Sequence, residues 1–307
     1  MTDGGMTSRE IAAGDATSPA LCFIGGWGST EAVWDQTLDS ARTENPHLLT
    51  TVGHHEFLSW LECIQNWPGA LQKLRSLPGQ CVLVGWSLGG LLALRAALEL
   101  AEVSQADEAK IAALVLVSAT PRMCGTVDSA GDYIGADRRA LAAMRARITR
   151  TPDAVLEEFA AGCAAPDGGE EVQASWLRQA KQFSAEEMAV GLQCLASLDL
   201  RGRLGEVRVP CRILHGDGDC IVPLGSAQFL VQGVAGAELE LLRGRGHALP
   251  FTAPAEIARC IAAVIKQVTK QVTKEATKEA TKEATKEAAT GSPVRPPLAG
   301  WGGTVLR

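Results

Sequence analysis

The sequence predicts an α/β fold: a mostly parallel central sheet flanked by helices, with an inserted helical segment. Three stretches predict it. Cys81-Val82-Leu83-Val84 is a short apolar run that passes through Gly85-Trp86-Ser87-Leu88-Gly89 into a helix-forming stretch, Leu91 to Leu98. Val209 to Leu214 is a second run, ending in a loop with two aspartates, Asp217 and Asp219. Leu239 to Leu242 is a third, followed by a glycine-rich loop that carries His247. Short apolar runs bounded by glycine and proline read as buried strands, and strands alternating with helical patterns build parallel sheets.

The remaining elements fall into order around these. Residues 1–19 are small and polar and are expected to fray. Core strands and helices run over 20–120, opening with the apolar run Leu21-Cys22-Phe23-Ile24 and including Ala112 to Val117. His54-His55 is expected to lie in an exposed loop beyond a second core strand, and it has no companion cluster at metal-ligand spacing. His47, after a proline, is expected at the surface, and His215, at a strand end, is expected to be packed. Residues 121–200 break the alternation. They are rich in alanine, arginine and glutamate at helical spacing, with Leu141, Met144 and Ile148, then Val155, Leu156 and Phe159. A stretch of that length exceeds one crossover and predicts a helical lid between core strands. The core resumes over 201–266. Residues 267–307 are low in complexity, with Thr-Lys-Glu-Ala repeating from Thr273 to Ala288. Each Glu faces a Lys three residues on, but no apolar stripe exists, so a marginal solvated helix or disorder is expected.

Gly85-x-Ser87-x-Gly89 between strand and helix has a chemical meaning. A serine hydroxyl attacks poorly unless it is exposed, close to a base and close to donors for the oxyanion. A strand–serine–helix turn supplies the exposure, its glycines allow close approach, and the helix N-terminus points amides at the site. Such an elbow calls for an acid and then a histidine downstream, and Asp219 and His247 follow in that order. The alternatives are a helix N-cap for Ser87 and a surface-loop residue for His247. Asp219 is preferred over Asp217 because Asp217, between two glycines, is the simpler turn-former. An oxyanion hole needs two amides, expected from Leu88 and from Trp27 in Gly25-Gly26-Trp27-Gly28. The alternative there is a plain glycine-rich turn with a core tryptophan.

Taken together, these residues resemble the α/β-hydrolases and, more narrowly, the pimeloyl-acyl-carrier-protein methyl ester esterases of biotin synthesis. The similar blocks are Gly26-Trp27-Gly28 with Glu31 to Trp34, Gly85 to Gly90, Leu198-Asp199-Leu200-Arg201, Gly216-x-x-Asp219-x-x-Val222-Pro223, and Gly246 to Phe251. The resemblance implies serine ester hydrolysis by Ser87, His247 and Asp219, without metal or organic cofactor. It also implies an acyl-chain wall at Phe159-Ala160-Ala161-Gly162-Cys163, and acyl carrier protein as a partner gripped by lid arginines. The sequence departs from that pattern at Glu157-Glu158, where a basic residue is expected, at Gly25 in place of a histidine, and at Thr51 to His55. Relatives of the same fold also act as short-chain esterases, thioesterases, lyases or ligand receptors.

Composition sets outer bounds. A chain of 307 residues with 46% hydrophobic side chains can bury a large core. A net charge of −6 gives no case for nucleic acid. Nine scattered cysteines do not form a disulfide framework, and those in apolar strands serve as small hydrophobes. No signal-peptide pattern or membrane-length apolar segment is read, so a cytoplasmic protein acting on a small acyl ester is expected.

Overall fold

The computed structural model describes residues 18–46, 51–52, 54–103, 111–125 and 135–290. Six parallel strands form the central sheet: β1 (Ala20–Ile24), β2 (His54–Leu58), β3 (Cys81–Trp86), β4 (Ile111–Val117), β7 (Cys211–Gly216) and β8 (Glu238–Leu242). Their order across the sheet is β2-β1-β3-β4-β7-β8, and every neighbouring pair is parallel. The chain steps outward from β1 to β2 and then returns to the other side of β1 with β3. That reversal opens a crevice at the carboxyl ends of β1 and β3, the place where open parallel sheets bind ligands.

Burial follows position in the sheet. Every residue of β1 and β3 is buried, because helices cover both faces of a parallel sheet. The edge strands differ. β8 reads Glu-Leu-Glu-Leu-Leu and is largely exposed, with Glu238 and Glu240 on an edge that charge protects from pairing with another chain. β2 is half-buried, and it begins at His54. His54 and His55 are therefore strand residues in register with Ala20 and Leu21, not loop residues as the sequence suggested. His47 lies outside the described residues.

Helices α1 (Asp35–Glu44), α2 (Trp60–Gln65), α3 (Trp67–Ser76) and α4 (Leu88–Val103) connect the first four strands. Between β4 and β7 come a short parallel pair, β5 (Cys124–Gly125) with β6 (Ala136–Asp137), and then four helices. These are α5 (Arg138–Ile148), α6 (Pro152–Ala164), α7 (Gly169–Ala180) and α8 (Ala185–Ser197). Three of them have a local reason to start where they do. Asp137 caps α5, Pro152 occupies the first turn of α6, and Ser184 with Glu187 forms a capping box on α8. Val155, Leu156, Ala160 and Cys163 make the buried face of α6.

After β7 and β8, with α9 (Leu224–Gly233) between them, the short α10 (Leu249–Thr252) leads into α11 (Pro254–Thr290). The chain divides into two compact units, 1–269 and 270–307. In the first, α11 buries Ile257, Ile261, Val264, Ile265 and Val268, so the core extends two residues beyond the expected boundary at 266. In the second, the repeat is helical to Thr290. Thr277, Thr281 and Thr285 each donate their hydroxyl to the carbonyl four residues earlier, a bond the four-residue period repeats at every turn. Residues 1–17 of the segment 1–19 expected to fray, and those from 291 onward, lie outside the described residues. All nine cysteines are free, and Cys22, Cys81 and Cys211 are buried in strands.

Candidate active site

Ser87 stands between β3 and α4 with φ of 54°. A non-glycine residue there carries about 1–2 kcal/mol of strain, so the turn must be held from outside. The Ser87 amide donates to the Val117 carbonyl at 2.9 Å, and the Ser87 carbonyl accepts from the amides of Gly90 and Leu91. Two glycines make the tight approach possible. A Cβ on Gly85 would sit 2.5 Å from the Gly89 carbonyl oxygen, and one on Gly89 would strike the Ile24 carbonyl.

The other two predicted side chains meet this serine. His247 Nε2 is 2.9 Å from Ser87 Oγ, and His247 Nδ1 is 2.8 Å from Asp219 Oδ2. A carboxylate only accepts hydrogen bonds, so Nδ1 carries the proton and Nε2 is free to receive one from Ser87. Asp219 Oδ1 in turn accepts from the amides of Ile221 and Val222 at 2.9 and 2.8 Å. Burial alone would raise the Asp219 pKa, but the imidazole beside it and these hydrogen bonds outweigh that, and the carboxyl is held below its ordinary value. His247 is fully buried, and Ser87 is 9% exposed.

Asp217 takes the other part assigned to it. It is exposed, and it accepts from the Gly244 amide at 2.7 Å, closing the turn beside the histidine loop. His215 is packed, as expected of a strand end. Its Nε2 donates to the Val222 carbonyl at 2.9 Å, and burial holds its pKa below the usual histidine value.

Leu88 follows Ser87 directly, and Trp27 lies in the loop after β1, the strand beside β3. Leu88 opens α4, where the first amides of a helix have no partner inside it. Among the described residues neither the Trp27 nor the Leu88 amide has a loop or capping partner. The Trp27 indole donates to the Met188 carbonyl at 2.9 Å, and its ring meets Phe159 edge-on at 5.0 Å and Trp176 at 5.9 Å. The segment from Phe159 to Cys163 divides between two surroundings. Phe159 joins the aromatic cluster on Trp27. Ala160 and Cys163 are buried, Ala161 is exposed, and Gly162 rests against Ile221 and accepts from Cys220 Sγ at 3.2 Å.

Several contacts here carried no sequence signal. Trp86 donates its indole N–H to the His247 carbonyl at 2.9 Å, so the elbow itself holds the histidine loop. Gln179 Oε1 accepts from the Thr30 amide and hydroxyl, at 2.9 and 3.2 Å. Trp176 fills the space over Gly28, where a Cβ would come within 2.6 Å of its ring. Such pairings join residues far apart in the chain, and no local pattern announces them. A separate cleft of about 590 Å³ is lined by Ser29, Glu31, Trp34, Trp60 and Phe183 among others, and none of Ser87, Asp219 and His247 lines it. Among the described residues no three His, Cys, Asp or Glu side chains group to hold a metal ion, and no helix is long and apolar enough to cross a membrane.

The arrangement can pass a proton from a serine hydroxyl to an imidazole that a buried carboxylate orients. Known proteins share its frame. Residues 23–260 match the alpha/beta hydrolase family. A pimeloyl-[acyl-carrier protein] methyl ester esterase of Aromatoleum aromaticum is 28% identical over 80% of this chain and 98% of its own length. One from Vibrio vulnificus is 30% identical over 77% of this chain and 90% of its own. Among solved structures, an esterase from Exiguobacterium antarcticum superposes with a TM-score of 0.64 at 18% identity, covering 81% of this chain and 92% of that one. A bromoperoxidase from Bacillus anthracis does so at 0.65 and 19%, over 81% and 92%. The two structural likenesses speak for the fold. The match over 23–260 speaks for kinship, and the chain belongs to the alpha/beta hydrolase family and is a hydrolase.

Proposed function

We propose that the chain is a serine carboxylesterase that removes the methyl ester from a pimeloyl chain carried on acyl carrier protein, a step of biotin synthesis in the cytoplasm. The hydrogen-bonded chain Ser87–His247–Asp219 carries the chemical half of this reading. The names of the relatives support the substrate half, together with Phe159 packed on Trp27 as an apolar wall for an acyl chain. Helices α5–α8 serve as the lid over the site.

Ser87 Oγ attacks the ester carbonyl carbon as its proton passes to His247 Nε2. The carbonyl oxygen gains the negative charge and is held by the amides of Trp27 and Leu88, where one donor is worth about 3–4 kcal/mol of barrier. The C–O bond to the methoxy group breaks, and His247 returns the proton so that methanol leaves. Water then gives its proton to His247 and attacks the acyl-enzyme, and the free acid departs as Ser87 recovers its hydrogen. Asp219 stays ionised throughout and stabilises the imidazolium.

A second reading, a broad-specificity short-chain esterase or thioesterase, has one observation in its favour. Arg147, one of the lid cations that would grip a carrier protein, is engaged by both carboxylate oxygens of Glu158 at 2.8 and 2.6 Å. The test compares pimeloyl-acyl-carrier-protein methyl ester with the free dimethyl ester, with Ser87→Ala as the control. Strong preference for the carried ester is expected. Equal turnover of the free ester moves the substrate to the second reading. Ser87→Ala is expected to lose about 10⁴-fold or more in kcat, and retained hydrolysis overturns the serine mechanism itself.

A further inference from the structure

We infer that Asp167 is a positioning residue: from the turn between α6 and α7 it fixes the loop that carries His247. This rests on the reading of His247 as the base. Asp167 Oδ1 accepts from the amide of Gly246, the residue before His247, at 2.9 Å, and Oδ2 pairs with Arg245 Nη1 at 3.1 Å. The Asp167 side chain is 15% exposed and that of Arg245 is 38% exposed, so the bond to the amide is the better shielded of the two.

The surroundings give this contact its leverage. A Cβ on Gly246 would collide with the Ala165 carbonyl, so the histidine loop lies flush against the α6–α7 turn at this point. Pro166 sits against Gly218 in the acid loop, and a Cβ there would approach it to 3.1 Å. The acid and histidine loops are also joined directly, through the Gly218 amide to the Arg245 carbonyl at 2.9 Å. Cys220, next to Asp219, donates to the Gly162 carbonyl one turn earlier in α6. One end of α6 therefore touches both loops whose separation sets the Asp219–His247 bond. Asp167 alone among these contacts supplies a carboxylate acceptor to the loop that carries His247. The helical insertion thus does more than cover the site: its seating and the orientation of the imidazole are one mechanical unit.

The test uses the full chain and a small soluble ester, read as kcat and KM separately. It also follows the downfield resonance of the imidazole Nδ1 proton shared with Asp219. Asp167→Ala is expected to lower kcat about tenfold, the scale of a small misplacement of a catalytic group, with KM within about twofold and the Nδ1 proton signal broadened or lost. Asp167→Asn keeps an acceptor for the Gly246 amide and is expected to hold both near wild type. Arg245→Ala, which removes only the ion pair, is expected to do the same. Wild-type kcat and an unchanged resonance in Asp167→Ala overturn the proposal, as does an Asn variant that falls as far as Ala. Should the Ala variant fail to fold, Asp167→Glu carries the test: its longer carboxylate stays near Arg245 but is displaced from the amide, so lowered kcat is expected and wild-type kcat overturns. Ser87→Ala in parallel separates the two levels, because hydrolysis retained there removes the serine reading and leaves the Asp167 result without a base to position.

Discussion

The loops at the sheet's carboxyl ends and the helical insertion that packs on them are held by different physics. Ser87, Asp219 and His247 follow strand ends, and the turns at Ser87 and Asp219 are shaped by small residues and amides within a few positions of them. The Ser87 turn is closed by Gly85 and Gly89 against neighbouring carbonyls, and Asp219 closes on the amides of Ile221 and Val222. The insertion is held instead by side chains that meet across long separations: Trp176 over Gly28, Gln179 on Thr30, Asp167 on Gly246. Local closure is specified by small residues at fixed offsets, whereas the insertion is specified by bulk and by single polar contacts. A change in the first region is therefore felt in chemistry, and one in the second mainly in stability, except at Asp167, whose contact reaches the histidine loop.

The largest expected effect lies in the loops. Asp219→Asn keeps an acceptor for Ile221 and Val222 but turns an amide N–H toward His247 Nδ1, favouring the tautomer that cannot take the serine proton. A fall of about 10⁴ in kcat is expected, measured by steady-state hydrolysis, with little loss of fold. The same carboxylate gives a pH signature. Its folded pKa lies below the ordinary value of 3.8, so its charge stabilises the fold fully above that pH and ceases to do so as pH falls through the folded value. The stability difference between wild type and Asp219→Asn, measured by urea unfolding, is expected to be constant near neutrality and to close below about pH 3.8. A difference that instead grows in acid would mean the carboxyl is held protonated.

The legibility of the chain divides along the same line. Gly-x-Ser-x-Gly after a run of buried residues, Gly-x-x-Asp after another, and a histidine after Gly246 were readable because each places a needed side chain beside residues that force its turn. Strands β1, β3 and β4 were readable because burial on both faces leaves an unbroken apolar run, and β7 because Ile213-Leu214 precede a glycine–aspartate loop. β2 was not: as an edge strand it is only half-buried, and His54 and His55 carry no apolar signal. Trp176 and Asp167 were equally opaque, since nothing near either in sequence names its partner. The segment from Phe159 to Cys163 was legible as helix, but its division between Trp27 and the acid loop depends on how α6 lies across the site.

An intermediate effect is expected from Trp176→Ala. The side chain is fully buried, with its ring 4.9 Å from Phe159 and 5.9 Å from Trp27. Its removal leaves a cavity between the insertion and the loop after β1, at a cost of about 3–5 kcal/mol. Calorimetry or thermal unfolding checks the size. Because Trp176 makes none of the contacts that join the insertion to the acid and histidine loops, the surviving folded enzyme is expected to keep most of its kcat on a small ester. A collapse of kcat with little change in Tm would instead make Trp176 part of the catalytic geometry of the loop after β1.

The smallest effect sharpens the comparison most, because it falls within a single loop. Asp217 lies two residues from Asp219, carries the same carboxylate and also accepts one backbone amide, that of Gly244. It differs in being exposed, while the imidazole Nδ1 of His247 is held by Asp219. Asp217→Asn keeps the acceptor, and the bond it preserves is worth about 1 kcal/mol net at most in water-exposed surroundings. Stability within about 0.5 kcal/mol of wild type and kcat within about twofold are therefore expected. A large loss of kcat here, with Asp219→Asn nearly intact, would reassign the acid to position 217 and require the histidine loop to move toward solvent when substrate binds. Chemistry in this loop depends on which carboxylate is buried against an imidazole, and sequence proximity to the histidine's partner confers none of it.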